Sequence, residues 1–413
     1  MGTSQPRDGL WYVSLIELIG FDDRDEWRFQ RSSPLKLHPR SLTLESSLMW
    51  YLGIGTLTVL CLITTLLPFV PMAHGVFRVF EFPRTQIAVI AFGCLVLALL
   101  VLPVQDLLVQ LIIGALVAVI AIQLVYIARF SPFWRRRSAQ FKGNPADTPI
   151  INVLVCNVKQ GNREYVRLCD LFQTVEPDLA IFMETDQKWI DALDKVGASY
   201  PHRMACPMDN AYGLLLYSRF PISEEETRFL LNDEVPSFHL TLTLEEGRDI
   251  RLIAVHPEPP VVYDDTIGRD AEIALVGQIV RNEDRPAMVT GDLNDVAWSR
   301  TTRRFLRISG MLDPREGRGQ FNTFDARYPF LRWPLDHIFH SPQFQLVSMK
   351  RMPFVGSDHF PMFYRLALTT NEQGRREVDD ATSEDIEEAK DLVDIESDRD
   401  RRPIGVDWEP KES

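Results

Sequence analysis

Two short stretches carry the residues best suited to chemistry, Gly291-Asp292-Leu293-Asn294 and Gly356-Ser357-Asp358-His359. The first sets a carboxylate and an amide two positions apart. The run before it, Pro286 to Thr290, reads as a buried strand that stops at Gly291. On extended backbone, residues two apart project the same way, so Asp292 and Asn294 are expected to point together from the strand's carboxyl end. The second stretch sets a carboxylate beside an imidazole. Hard oxygen ligands with a histidine suit Mg²⁺-assisted attack of water on phosphorus. Ser357 does not read as a triad nucleophile, because no Gly-x-Ser-x-Gly elbow surrounds it.

Four more segments end in a polar residue after an apolar run. Asn157 closes Ile151 to Cys156, Glu184 closes Asp178 to Met183, His256 closes Ile250 to Val255, and Asp336-His337 follows Pro334-Leu335. Taken singly, each is an ordinary loop residue, cap or turn, and Gly-Asp-Leu-Asn also suits an Asx-type turn. Strand ends are nonetheless where sheet-based sites place their ligands.

The elements that must position these residues begin at Ile150. Further strands are expected over Gly213 to Tyr217, Phe238 to Leu244, Leu335 to Phe339 and Gln345 to Met349, with Glu245 to Arg248 turning one hairpin. Helical spacing covers Glu164 to Thr174, Asp270 to Arg281 and Arg300 to Ile308. Antiparallel neighbours with interspersed helices favour two packed sheets flanked by helices over a doubly wound parallel sheet.

Before this region lie three nearly uncharged runs, about 48–70, 85–102 and 106–128, long enough to span a bilayer, with Pro103-Val104-Gln105 as a tight turn. The division expected is a polar segment over 1–47, a transmembrane region over 48–130, a linker over 131–149, a catalytic domain over 150–368 and an acidic, disordered tail over 369–413. Within the first segment Leu10 to Ile19 has the pattern of a short amphipathic helix. The tail is granted one helical turn near Ile386 to Val393. Arg78, Arg84, Arg129, Arg135, Arg136, Arg137 and Lys142 lie on one side of the spans against Arg31, Lys36 and Arg40 on the other. The positive-inside rule then puts the domain in the cytoplasm.

The 413 residues carry a formal charge of −13. The segment 371–413 has 16 Asp and Glu against 7 Lys and Arg, and 150–370 has 31 against 24. No region is strongly basic, which weighs against nonspecific nucleic-acid binding. The one basic run, Arg300, Arg303, Arg304 and Arg307, reads as a solvated helix face. Five cysteines without a CxxC spacing suggest neither a disulfide framework nor a zinc site.

Taken together, the six segment ends resemble the endonuclease/exonuclease/phosphatase superfamily, the metal-dependent phosphodiesterases that include DNase I and neutral sphingomyelinases. The most specific parts are Gly291-Asp292-Leu293-Asn294 and Ser357-Asp358-His359-Phe360-Pro361. Tyr212 to Arg219 resembles the family's central strand. The apolar runs, and Trp298 after the Asp-Leu-Asn motif, resemble a bacterial membrane-attached branch, which places the chain in an inner or plasma membrane. The resemblance implies an α+β fold, a DNase I-like four-layer α/β/β/α sandwich. It implies Asn157, Glu184 and Asp358 as ligands of Mg²⁺, with Mn²⁺ as a substitute. Asp292 and Asn294 would orient the attacking water and a phosphate oxygen. His359, held by Asp336, would take a proton or bind the phosphate, and His256 would stabilise charge or protonate the leaving group. The implied partners are the bilayer and a phosphoester, either nucleic acid or a lipid headgroup. One departure stands out: repair-type members carry an acid two positions after the first Asn, and here that position is Lys159. The alternatives are a catalytically silent membrane-bound binding module, against which all the expected polar residues speak, and a transporter, for which three uncharged spans offer no pathway.

Overall fold

The computed structural model describes residues 44–244, 247–369 and 379–407. The chain divides into a short unit, Met1–Ser46, and a compact unit, Ser47–Ser413. The helix expected over Leu10 to Ile19 lies outside the described residues.

Three long helices come first: α1 (Leu44–Leu66), then a single turn α2 (Gly75–Arg78), α3 (Arg84–Val101) and α4 (Leu107–Ile127). Segments Leu48–Phe69, Arg84–Val101 and Leu107–Phe130 are long and apolar enough to cross a membrane. Small residues Ala91 and Ala98 of α3 are fully buried and pack in one cluster with Val109, Ile112 and Leu116 of α4, the close approach expected of helices in lipid. The outward faces are just as apolar, with Leu100 76% and Val125 70% exposed. A soluble helical bundle would present polar residues there.

Two mixed sheets follow. The first has strand order β10-β11-β1-β2-β4-β3, built from β1 (Ile150–Asn157), β2 (Leu179–Met183), β3 (His202–Cys206), β4 (Leu214–Ser218), β10 (Phe344–Arg351) and β11 (Met362–Leu368). The second has order β5-β6-β7-β8-β9, from β5 (Ile222–Phe229), β6 (Pro236–Thr243), β7 (Asp249–Ala254), β8 (Ala287–Asp292) and β9 (Asp336–His340). Only β1–β2 and β7–β8 run parallel.

The inner faces meet through Val153, Ile181 and Leu216 on one side and Leu240, Leu252 and Met288 on the other. Helices α5 (Tyr165–Val175) and α6 (Gln187–Gly197) cover the first sheet through Phe172 and Trp189. Helices α7 (Ile267–Arg281) and α8 (Arg300–Ser309) cover the second through Val276 and Phe305. With both faces covered, β1, β2, β4 and β8 are near-continuous apolar runs. The fold is the expected α/β/β/α sandwich, preceded by three candidate membrane spans.

The tail corrects an expectation. Instead of a disordered acidic segment with one turn, Ser383–Ser397 forms a four-turn helix, α9, opened by a capping box in which Thr382 and Asp385 exchange hydrogen bonds. Helix α9 packs on α7 and α8, with Ala389 fully buried beside Ala274 and Ile308. Its acids face the arginines expected to be a solvated face. Asp385 accepts from Arg307, and Glu388 lies 2.7 Å from Arg300 and 2.8 Å from Arg304. Each run, read alone, looks like a solvated charge cluster, and their opposite signs neutralise each other across the interface.

Candidate active site

The carboxyl ends of β1, β2, β7 and β8 converge with the loop before β11. Asn157 ends β1 fully buried, and its amide nitrogen donates to Glu184 Oε1 at 2.7 Å and Asp292 Oδ2 at 3.0 Å. One side chain thereby holds two carboxylates from different sheets. Glu184 follows β2 with φ 61, and Gln160 N donates to its Oε2 at 3.1 Å. Such left-handed backbone is uncommon outside glycine and concentrates at functional sites. Gly291 must be glycine: φ is 143 and an added Cβ would lie 1.8 Å from Val255 O.

Asp292 and Asn294 do line one pocket, but not through strand alternation. Strand β8 ends at Asp292, the Asn294 amide donates to Asp292 Oδ1 at 2.9 Å, and Asn294 has φ 51. This is the Asx-type turn that the residues also allowed. The Asn294 side chain donates to Pro257 O at 3.0 Å. Fully buried Arg269 donates to Asn294 O at 3.0 Å and fixes the turn from behind.

His359 Nδ1 bonds Asp336 Oδ2 at 2.8 Å, and its Nε2 lies 3.5 Å from Asp292 Oδ2. Burial works against charge on this ring, but Asp336, Asp292 and Asp358 outweigh it and hold His359 up to about 10. His256 lies 3.8 Å from Asp292 Oδ2, and burial pushes it down to about 4. The two imidazoles therefore differ at neutral pH: His359 is a cation and His256 is neutral. Burial, reinforced by the Asp358 charge, pushes the Glu184 carboxyl up to about 7. Ser357 donates to Asn157 O at 2.8 Å and accepts from His359 N at 3.0 Å, so its hydroxyl is occupied in holding the turn.

Among the described residues, the tightest group of potential ligand atoms is Asp292, Asp336 and His359, within 4.8 Å of one another. The set implied by the resemblance is Asn157, Glu184 and Asp358. Of these, Asn157 bonds both Glu184 and Asp292, while Asp358 pairs with Lys159 at 2.6 Å and lies 3.6 Å from Arg327. The donor set fits a hard divalent cation. Three carboxylates, Glu184, Asp292 and Asp358, share the pocket with the Lys159 ammonium and the His359 imidazolium, and behind His359 the buried Asp336 Oδ1 has no hydrogen-bond partner among the described residues. Glu184, held by the Asn157 amide and close enough to Asp358 to feel its charge, supplies the anionic oxygens of the implied set.

These groups form the floor of a cavity of about 310 Å³. Its walls include Tyr212 and residues that the sequence did not single out: Phe82 from the segment before α3, Pro259, Pro260, and Ile404 and Gly405 from the tail. The Tyr212 hydroxyl donates to Ile404 O, and Arg401 pairs with Glu258 at 2.8 Å, fastening the tail beside the pocket. Tyr212 stood within the strand-like motif, but nothing local marks Phe82 or Ile404, which arrive by tertiary packing.

Residues 151–359 match the sequence profile of the endonuclease/exonuclease/phosphatase family. The chain belongs to this family. Its chemistry is accordingly that of a phosphoesterase. No curated protein matches the chain. Similar solved structures include a humanised D. rerio TDP2 with 14 mutations, at 16% identity over 52% of this chain and 98% of that one, with a TM-score of 0.44. They also include family proteins from Beutenbergia cavernae (15%, 53% of this chain, 72% of that one, TM-score 0.42) and Bacteroides vulgatus (18%, 53%, 99%, 0.44).

Proposed function

We propose that the chain is a membrane-anchored, Mg²⁺-dependent phosphoesterase that hydrolyses a phosphodiester or phosphomonoester by in-line attack of water. The observation that carries this reading is the convergence of Asn157, Glu184, Asp292, Asn294, His256 and the Asp336–His359 pair on one cavity. The three apolar helices would supply the anchor, and the excess of basic residues on the domain's side of them supports a cytoplasmic domain at an inner or plasma membrane.

Glu184, held by the Asn157 amide and with Asp358 beside it, would hold the cation, which when bound would withdraw charge from the phosphate oxygens. Asp292 accepts the proton of the attacking water, since its Oδ2 faces the cavity between both histidines. His359, kept as an imidazolium by Asp336, binds a non-bridging oxygen and offsets charge that grows as the P–O bond forms. Asn294 orients a second oxygen. Neutral His256 donates a ring N–H to the leaving oxygen. Manganese should substitute for magnesium because the donors are hard oxygens.

The test is turnover by the full chain in detergent with Mg²⁺, Mn²⁺ or EDTA, on bis-p-nitrophenyl phosphate, p-nitrophenyl phosphate and plasmid DNA. Metal-dependent turnover that vanishes in Asp292→Ala and His359→Ala is expected. A folded, metal-binding protein inactive on every ester would instead favour a silent binding module of the same fold.

A further inference from the structure

Resting on that phosphoesterase reading, we infer that the substrate is an amphipathic phosphoester taken from the lipid surface, and that Tyr328 to Leu331 dips into that surface beside the pocket mouth. Phe330 is 84% exposed, and Tyr328 and Leu331 are also exposed. An exposed apolar cluster in a folded domain calls for a partner. Its position names the partner. Gln86, in the first turn of α3, donates to Phe330 O at 3.0 Å, and Gln320 donates to Thr85 at 2.9 Å. Phe330 therefore sits level with the end of a helix apolar enough to span a bilayer, where aromatic side chains concentrate.

The surroundings fit a headgroup layer. The Arg332 and Arg351 guanidinium carbons lie 4.9 and 4.6 Å from the Phe360 ring centroid, while Arg327 is paired with Asp325 at 2.5 Å and lies 3.6 Å from Asp358. Arginines at this depth suit anionic lipid headgroups.

An apolar wall then runs inward from the helix ends. Phe82 meets Trp333 at 6.0 Å, Trp333 meets Phe324 at 6.3 Å, and Phe324 meets His359 at 4.9 Å between ring centroids. Pro259, Pro260 and Ile404 add further apolar lining to the cavity. A bare phosphate or a polar sugar-phosphate would leave this wall unused, whereas a phosphoester with an acyl-bearing part would bury it. Duplex nucleic acid is disfavoured by charge. Of the α8 arginines that could have tracked its backbone, Arg300, Arg304 and Arg307 are paired with Asp385 and Glu388, and Arg303 lies over the Tyr126 ring.

The experiment uses the full chain in lipid nanodiscs with two esters of one leaving group: water-soluble bis-p-nitrophenyl phosphate, and phosphatidyl-p-nitrophenol embedded in the disc. Wild type should turn over the lipid ester at least tenfold faster than the soluble one. Phe330→Asp should lose at least tenfold on the lipid ester while its rate on the soluble ester stays within twofold. Equal rates of Phe330→Asp and wild type on the lipid ester, or an equal loss on both esters, overturns the role of the segment. Soluble turnover without lipid turnover overturns the substrate class and leaves the phosphoesterase reading standing. If neither ester is cleaved, that reading and the substrate class fail together. Insertion is still decided by Phe330→Trp: its emission, as a difference from wild type, should be quenched by brominated lipid. Quenching by aqueous acrylamide instead overturns insertion.

Discussion

Replacing Asp336 by Asn removes one negative charge behind His359 while keeping the shape of the side chain. His359 is held up to about 10 from an ordinary 6.5, against the effect of burial, by Asp336 first and then Asp292 and Asp358. At about 1.36 kcal/mol per unit, the net rise is about 5 kcal/mol, so the three carboxylates together supply more than that to offset burial. Asp336 is the nearest, at 2.8 Å, and the one that hydrogen-bonds the ring. Its loss should remove about half, roughly 2 kcal/mol, and lower the imidazolium pKa by about two units. A histidine raised in the folded state contributes stability that is complete below pH 6.5 and lost as pH rises through about 10. Metal-free wild type should therefore lose thermal stability between those values, and Asp336→Asn should lose less, with the decline ending near pH 8. The direct assay is a histidine NMR titration of the metal-free protein, paired with the alkaline limb of kcat/KM on the soluble diester. The reasoning is refuted if His359 titrates at the same pH in both proteins, or near 6.5 in wild type.

Glu184 must lose its proton to bind a cation, and its carboxyl is pushed up to about 7. Mn²⁺ affinity, read by electron paramagnetic resonance, should rise about tenfold per pH unit below 7 and level off above, a slope that Glu184→Gln abolishes. Gly291→Ala would press a Cβ to 1.8 Å from Val255 O at a φ of 143. It should cost more than about 3 kcal/mol, seen as little folded protein on gel filtration. Arg304→Ala leaves Glu388 with Arg300 alone at the α8–α9 seam. A loss of about 1–3 kcal/mol is expected, read as faster proteolytic release of α9 with the sandwich left intact.

Much of the sandwich was legible because strands buried on both faces appear as unbroken apolar runs ending in one polar residue, as at Asn157 and Glu184. Exposed edge strands were not: β5, Ile222–Phe229, carries three glutamates, and its pattern resembles a loop. The pairing of α9 with α8 was hidden because composition sees charge and not complementarity. The convergence of the site residues was legible from the order of six motifs. The use of Lys159 on Asp358 was visible only as a departure, since a lysine's partner is set by the fold. The walls formed by Phe82 and Ile404 lie 322 positions apart in sequence and share no local signal.

The central claim, attack of water on phosphorus at this site, is tested most directly by ³¹P NMR of the product formed in ¹⁸O-labelled water by the full chain. One ¹⁸O per released phosphoryl group is predicted with Mg²⁺ or Mn²⁺ present, and no product with EDTA or in Asp292→Ala. Unlabelled phosphate, ¹⁸O in the alcohol, or equal turnover in EDTA would contradict the account.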